Sequence, residues 1–278
     1  MTQVRLLLKT AGYCLAKEHH AIRGGKRKDI RFPALYAVIE HPVRGWVLFD
    51  TGYSHRFFEA TSHFPGKVYK WMTPAFLRPE EEAVAALKQM GINPADIQHL
   101  IVSHFHADHT GGLCDFPRAN YYCSLAAFDQ VTRLKGMRAV RRGLLDGHLP
   151  EDFARRAVLV DTGNFATKTD PDLGKMTDLF GDGSILLPSL PGHAAGQIGA
   201  LLNTDQGKVL LAADALWLMG NLTQNMLPSP LVKLFFHSWK DFKGSLGRLK
   251  KFNQNHPEIP IIPTHCESTL AEWIPRFS

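Results

Sequence analysis

The chain has 278 residues, 45% hydrophobic, 21% charged and 10% aromatic, which is enough apolar material for a buried core and excludes a disordered or fibrous protein. Thirty-two Lys and Arg against 26 Asp and Glu leave a net charge of +6, a modest surplus that does not by itself mark a nucleic-acid binder. No apolar run approaches the ~18 residues of a membrane span, and the Leu6 to Leu8 run is followed by Lys9 without a signal-peptide cleavage pattern. A cytoplasmic protein with neither a membrane nor a nucleic-acid partner is expected.

Val4 to Leu8 reads as a strand, and Ala34 to Glu40 with Gly45 to Asp50 as a hairpin of core strands around His41-Pro42-Val43-Arg44. The basic stretch Arg23 to Arg31 reads as a solvated loop. Tyr53 to Phe76 is irregular and rich in rings. Pro79 followed by three glutamates starts a helix that runs to about Met90, with Gly91 as its stop. His99 to Ser103 is a short buried strand that breaks into the polar run HFHADHTGG. Tyr121 to Ser124, Ala157 to Val160, Ser184 to Pro188, Gly199 to Asn203, Lys208 to Ala213 and Pro260 to Pro263 continue the strand series. Helices are expected over Leu125 to Leu145 and Ser238 to Phe252. No repeat or linker divides the elements, so a single layered α/β domain over 1–278 is expected.

Cys14, Cys114, Cys123 and Cys266 are too few and scattered for a disulfide framework, and no CxxC pair suggests a thiolate metal site. Fourteen histidines are the compositional oddity, because imidazole is the commonest metal ligand. His104, His106, Asp108 and His109 form HxHxDH. Residues two apart in an extended loop point the same way, so His104 and His106 can present two imidazoles to one metal. If the chain then turns into a helix, Asp108 and His109 aim at a neighbouring point, and two adjacent metals become possible within six residues. Downstream, His193 in LPGHAAGQ, Asp214 in VLLAADAL and His265 in IIPTHCES each follow a strand-like segment, where a rigid sheet can hold a ligand beside an open cleft. His19, His20, His41, His55, His63, His148, His237 and His256 have no such motif and read as structural.

The seven donors in this order, with Phe49-Asp50-Thr51-Gly52, resemble the metallo-β-lactamase superfamily over nearly the whole chain. The resemblance implies a four-layer αβ/βα sandwich, two mixed sheets flanked by helices. It also implies one metal on His104, His106 and His193, a second on Asp108, His109 and His265, and Asp214 bridging, with Asp50 and Thr51 orienting ligands. Two divalent ions, two carboxylates and a bridging hydroxide would leave the centre at +1, suited to an anionic transition state. Nitrogen and oxygen donors without thiolate suit zinc, and also iron, manganese or cobalt.

Within the superfamily, SHFHADHTGG, PGHAAGQ and PTHC look most like the N-acyl-homoserine lactonase group, whose members open a lactone ring with a metal-held hydroxide. These lactonases carry a tyrosine three residues after the bridging aspartate; here that residue is Trp217, so Asp108 or metal-bound water must supply any proton to the leaving alkoxide. Together Asp108 and Asp214 are the expected catalytic carboxylates. Trp217, Phe57, Trp71 and Phe235 are candidates for an apolar pocket, the alternative for such rings being core or a homodimer contact. The expected substrate is a small ester or lactone. A phosphodiesterase or phosphotriesterase on the same metals is the alternative, and a metal-retaining binding protein a further one.

Overall fold

The computed structural model describes residues 2–278. Seven strands, β1 (Arg5–Lys17), β2 (Asp29–His41), β3 (Gly45–Phe49), β4 (Ala75–Phe76), β5 (His99–Ile101), β6 (Asn120–Cys123) and β7 (Ala157–Leu159), form one sheet in the order β4-β1-β2-β3-β5-β6-β7. Six more, β8 (Ala166–Asp170), β9 (Gly174–Asp178), β10 (Ile185–Pro188), β11 (Ala200–Thr204), β12 (Gly207–Ala213) and β13 (Ile261–Pro263), form a second in the order β13-β12-β11-β10-β9-β8. Both sheets are mixed. β1, β2 and β3 meander antiparallel and β3, β5, β6 and β7 run parallel, whereas β12–β13 is the parallel pair of the second sheet.

Side chains alternate across each strand, and the alternation sorts them into layers. Leu6, Leu8, Leu35, Ala37 and Ile39 face a central core shared with Val209, Leu211 and Ala213 of the second sheet. Their neighbours Leu7, Tyr36 and Val38 face outward onto Leu87, Ala127 and Val131 of two helices, Ala83–Gln89 and Leu125–Arg133. On the far side Leu201, Leu210 and Ala212 pack against Phe242, Leu246, Leu249 and Phe252 of helix Trp239–Asn255. The result is helix, sheet, sheet, helix, as the resemblance implies.

Local differences from the sequence reading have identifiable causes. Tyr53 to Phe76 holds two short helices, His55–Ala60 and Gly66–Met72, each too short to print a helical period. The expected helix over Leu125 to Leu145 is broken: Leu134 is extended, Gly136 takes a φ of 56°, and a second helix covers Gly136–Val140. The glutamate-rich start is a 3₁₀ turn, Pro79–Glu81, ahead of the α-helix. Asp29 to Arg31, expected in the basic loop, already pair with β1. The β8–β9 hairpin and the closing helix Glu267–Trp273 were not expected.

Candidate metal centre

Strand ends position every donor. His104 and His106 follow β5, Asp108 and His109 sit in the four-residue helix Ala107–Thr110, His193 lies in the loop after β10, and Asp214 and His265 directly follow β12 and β13. Because β12 and β13 are parallel, their C-terminal ends open on one edge; the same holds for β3 and β5. The centre therefore lies where both sheets release their loops.

All seven donors converge. Three sets have their ligand atoms within 4.8 Å of one another: His104, His106 and His193; Asp108, His109 and His265; and His104, His109 and Asp214. The Asp214 carboxylate joins the first two sets, with Oδ2 lying 3.2 Å from His193 Nε2 and 2.9 Å from His265 Nε2, and Oδ1 lying 3.3 Å from His109 Nε2. His106 Nδ1 faces His193 Nε2 at 2.9 Å, and Asp108 Oδ2 is 3.4 Å from His265 Nε2. His104 Nε2, His109 Nε2, His193 Nδ1 and Asp214 Oδ1 are buried without a hydrogen-bond partner. Orphaned polar atoms at this density are costly unless another group completes them.

The ring nitrogens turned away from the centre are fixed. His109 Nδ1 pairs with Asp50 Oδ2 at 2.8 Å, and His265 Nδ1 with the Pro33 carbonyl at 2.8 Å. Asp50 is buried and also accepts from the Ser103 backbone N–H at 2.8 Å and its hydroxyl at 2.7 Å. Its own φ of 59°, in the left-handed region that non-glycine residues avoid, is the kind of strain that persists where surrounding contacts over-determine it. Thr51 donates its hydroxyl to the His109 carbonyl and accepts from the Gly112 N–H, both at 3.0 Å, which clamps the HxHxDH loop to the end of β3.

The charges sort the donors. Burial holds His104 and His193 well below the usual histidine range and pushes His106 down to about 4 despite the nearby carboxylates, leaving three neutral imidazoles with free lone pairs. Burial would also lower His109 and His265, but Asp50 and the other carboxylates hold the first well above its ordinary value, and Asp214 raises the second. Burial works to raise Asp214, but the charges of His265 and His109 outweigh it and hold it well below the usual carboxylate range. Two triads of imidazoles and carboxylates joined by Asp214, with orphaned atoms between them, fit a pair of divalent ions.

The apolar candidates divide. Trp217 is at the centre: its indole packs against His193 with ring centroids 5.6 Å apart, and Nε1 donates to Asp214 Oδ2 at 3.2 Å. Phe57 has no exposed surface and belongs to a core cluster with Tyr53 and Ala107, so it walls no open pocket. Trp71 is 83% exposed and Phe235 47% exposed. It is the next residue, Phe236, that packs on His193, at 5.2 Å. Sequence reasoning counts Phe236 among the rings that could line a cleft, and does not single out Ser103 or Gly143. The last has a φ of 74°, and a Cβ there would come within 2.5 Å of His106 Cδ2. A glycine inside a basic, helix-like run was the available signal.

A family model described as the metallo-beta-lactamase superfamily matches residues 30–255. An N-acyl homoserine lactonase AttM of Azorhizobium caulinodans is 27% identical over 230 residues, 82% of each chain. Among solved structures, an N-acyl homoserine lactone hydrolase with N-hexanoyl-L-homoserine bound at its catalytic metal centre superposes with a TM-score of 0.75 at 20% identity, covering 98% of this chain and 97% of that one. AidC, a dizinc quorum-quenching lactonase, gives 0.61 at 14% identity over 96% and 89%. With the family match spanning most of the sequence and the sandwich and donor cluster in place, the chain belongs to the metallo-beta-lactamase superfamily and is a metal-dependent hydrolase.

Proposed function

We propose that the chain hydrolyses a neutral lactone or ester carrying an apolar tail, an N-acyl homoserine lactone or a close chemical relative. The observation that carries the reading is the meeting of seven nitrogen and oxygen donors around the Asp214 carboxylate. In this reading His104, His106 and His193 hold one ion, Asp108, His109 and His265 the other, and Asp214 both, with zinc as the proposed metal. Such a pair supplies an ionised water at neutral pH and an electrophile for the carbonyl oxygen.

The chain's own residues do the rest. Asp50 and the Pro33 carbonyl aim His109 and His265, as carboxylates and carbonyls behind metal-binding imidazoles do. Asp108 turns Oδ2 toward His265, which leaves Oδ1 to take the proton that the attacking hydroxyl gives up once it has joined the carbonyl carbon and to pass it to the leaving alkoxide. Trp217 has its single N–H engaged by Asp214 and so shapes the pocket while steadying that carboxylate. Phe236 and Trp217, packed on His193, give an acyl tail an apolar wall. Similarity to N-acyl homoserine lactonases supports the substrate class. Four unpaired cysteines agree with the cytoplasm as the proposed compartment.

Homoserine lactones of increasing chain length, assayed beside a thioester and phosphodiesters, test the proposal. kcat/KM is expected to climb by up to about fourfold per methylene, ~0.8 kcal/mol, until the tail is covered. A flat dependence, or preference for the phosphodiester, overturns it in favour of phosphoryl transfer on the same metals.

A further inference from the structure

Four stretches that adjoin one another around the metal centre share an unusual composition. Residues 22–28, 64–72, 133–142 and 226–236 together hold twelve of the chain's 32 Lys and Arg residues and none of its 26 Asp and Glu. They also hold seven of the eleven large apolar side chains that stand exposed among the described residues. Leu234 is 84% exposed, Trp71 83%, Phe64 75% and Leu231 70%.

Contacts join the four into a collar. The Arg23 N–H donates to the Leu227 carbonyl at 2.8 Å, and the Ser229 N–H to the His20 carbonyl at 2.9 Å, which ties the first stretch to the last. Arg142 Nη1 reaches the Phe236 carbonyl at 3.3 Å, bringing the third stretch to the fourth. Helix Gly66–Met72 packs on helix Gly136–Val140, and both Tyr69 and Val140 lie on the cluster that contains Ala107, the residue between His106 and Asp108. Phe236 touches His193, and Gly143 backs His106. The collar thus abuts the metal centre at His106, Ala107 and His193. The acids at its margins are engaged: Glu18 faces Lys28 at 3.8 Å, Asp29 faces Lys17 at 2.9 Å, Asp129 pairs with Arg133 at 3.3 Å, and Asp146 accepts from the Gly136 N–H at 3.3 Å.

We infer that, against the expectation of no membrane partner drawn from the sequence, this collar docks the enzyme on an anionic lipid surface, with Leu231, Leu234, Trp71 and Phe64 entering the interface and the cations meeting the headgroups. Exposed aromatic and aliphatic side chains interleaved with Lys and Arg, without acids, are the pattern of interfacial membrane binding. An isologous dimer through the same face would set one copy's cations against the other's. A nucleic acid would leave the exposed Leu and Phe without a partner. Docking in this pose turns the metal centre toward a phase in which apolar-tailed substrates concentrate. It goes beyond the hydrolytic reading and is measured without turnover.

The metal-loaded protein is sedimented with vesicles of phosphatidylcholine alone or with 30% phosphatidylglycerol. Binding is expected to be at least tenfold tighter to the anionic vesicles and to weaken with added salt. Leu231→Ser with Leu234→Ser, and separately Lys70→Glu with Arg138→Glu, are expected to lower it at least tenfold, with unchanged circular dichroism and unchanged hydrolysis of a short soluble substrate. Equal binding to both vesicle types, or none, overturns the proposal. So does a wild-type dimer that the Leu variant alone converts to monomer, or tight binding to single-stranded DNA without binding to vesicles.

Discussion

At the scale of single residues, two side chains that do not themselves reach the ions carry distinct consequences. Asp50 fixes His109, and Asp50→Asn is expected to weaken metal retention 10- to 100-fold while the protein stays folded; elemental analysis after dialysis against a competing chelator checks it. Trp217→Phe keeps the ring but removes the donor to Asp214. In metal-saturated buffer it should retain most of kcat, yet lose metal to chelator faster than wild type, whereas Trp217→Ala should also raise KM. Full retention of metal by Trp217→Phe would remove the indole from any part in steadying the carboxylate. The seven donors were legible because HxHxDH is local and the other three each follow a strand. Trp217 was legible only as a missing phenol, since no spacing rule says where an indole N–H points. Phe57 and Phe236 show the same limit: adjacent rings in a ring-rich run are told apart only by the packing that buries one and turns another to the metals.

Single elements explain how the loops are held. Gly143, between helix Gly136–Val140 and the buried Leu144, lets the backbone pass against His106, and its carbonyl accepts from the Ala107 N–H at 3.2 Å. Gly143→Ala places a side chain in a left-handed conformation at a cost of ~1–2 kcal/mol and forces the imidazole aside. The expected result is a lower Tm and about one ion per chain in place of two, read by calorimetry and metal analysis. Helix Trp239–Asn255 is the control. Ser238 caps it by accepting from the Asp241 N–H at 3.3 Å, so Ser238→Ala should cost about 1 kcal/mol in a denaturant titration and leave metal content unchanged. That helix was readable in the sequence because it is long and amphipathic. The helices of residues 55–72 and the β8–β9 hairpin were not, because six- or seven-residue helices and a polar hairpin with exposed Thr167 and Thr169 leave too little periodic signal.

Over the whole molecule, metal and fold are linked. Removing ions present at a thousand times their Kd forfeits about 4 kcal/mol, which corresponds to a fall in Tm of roughly 10 °C for a chain of this size. A second link lies away from the metals, where His41 at the end of β2 meets Asp182 after β9 at 2.9 Å and ties the sheets together. Partial burial works to raise Asp182, but hydrogen bonds from Ser184, Thr2 and His41 hold it at about 2. Its stabilisation is therefore present above the unfolded carboxylate value and lost as pH falls from about 4 to 2. The difference in denaturation midpoint between wild type and Asp182→Asn should be constant above about pH 5 and close across that window.

The sheets also divide the chain in order: β1 to β7 all precede residue 160, and β8 to β13 all follow residue 165. His104, His106, Asp108 and His109 fall in the first half, and His193, Asp214 and His265 in the second. Neither half contains a complete triad, because each triad takes two donors from the first and its third from the other. Cut within the exposed stretch 161–164, the protein is expected to become a pair of fragments that the bound metal helps hold together across their shared core. Co-expressed 1–163 and 164–278 should reassemble into an active complex that chelator splits and added metal restores, with Asp214→Ala in the second fragment weakening the reunion.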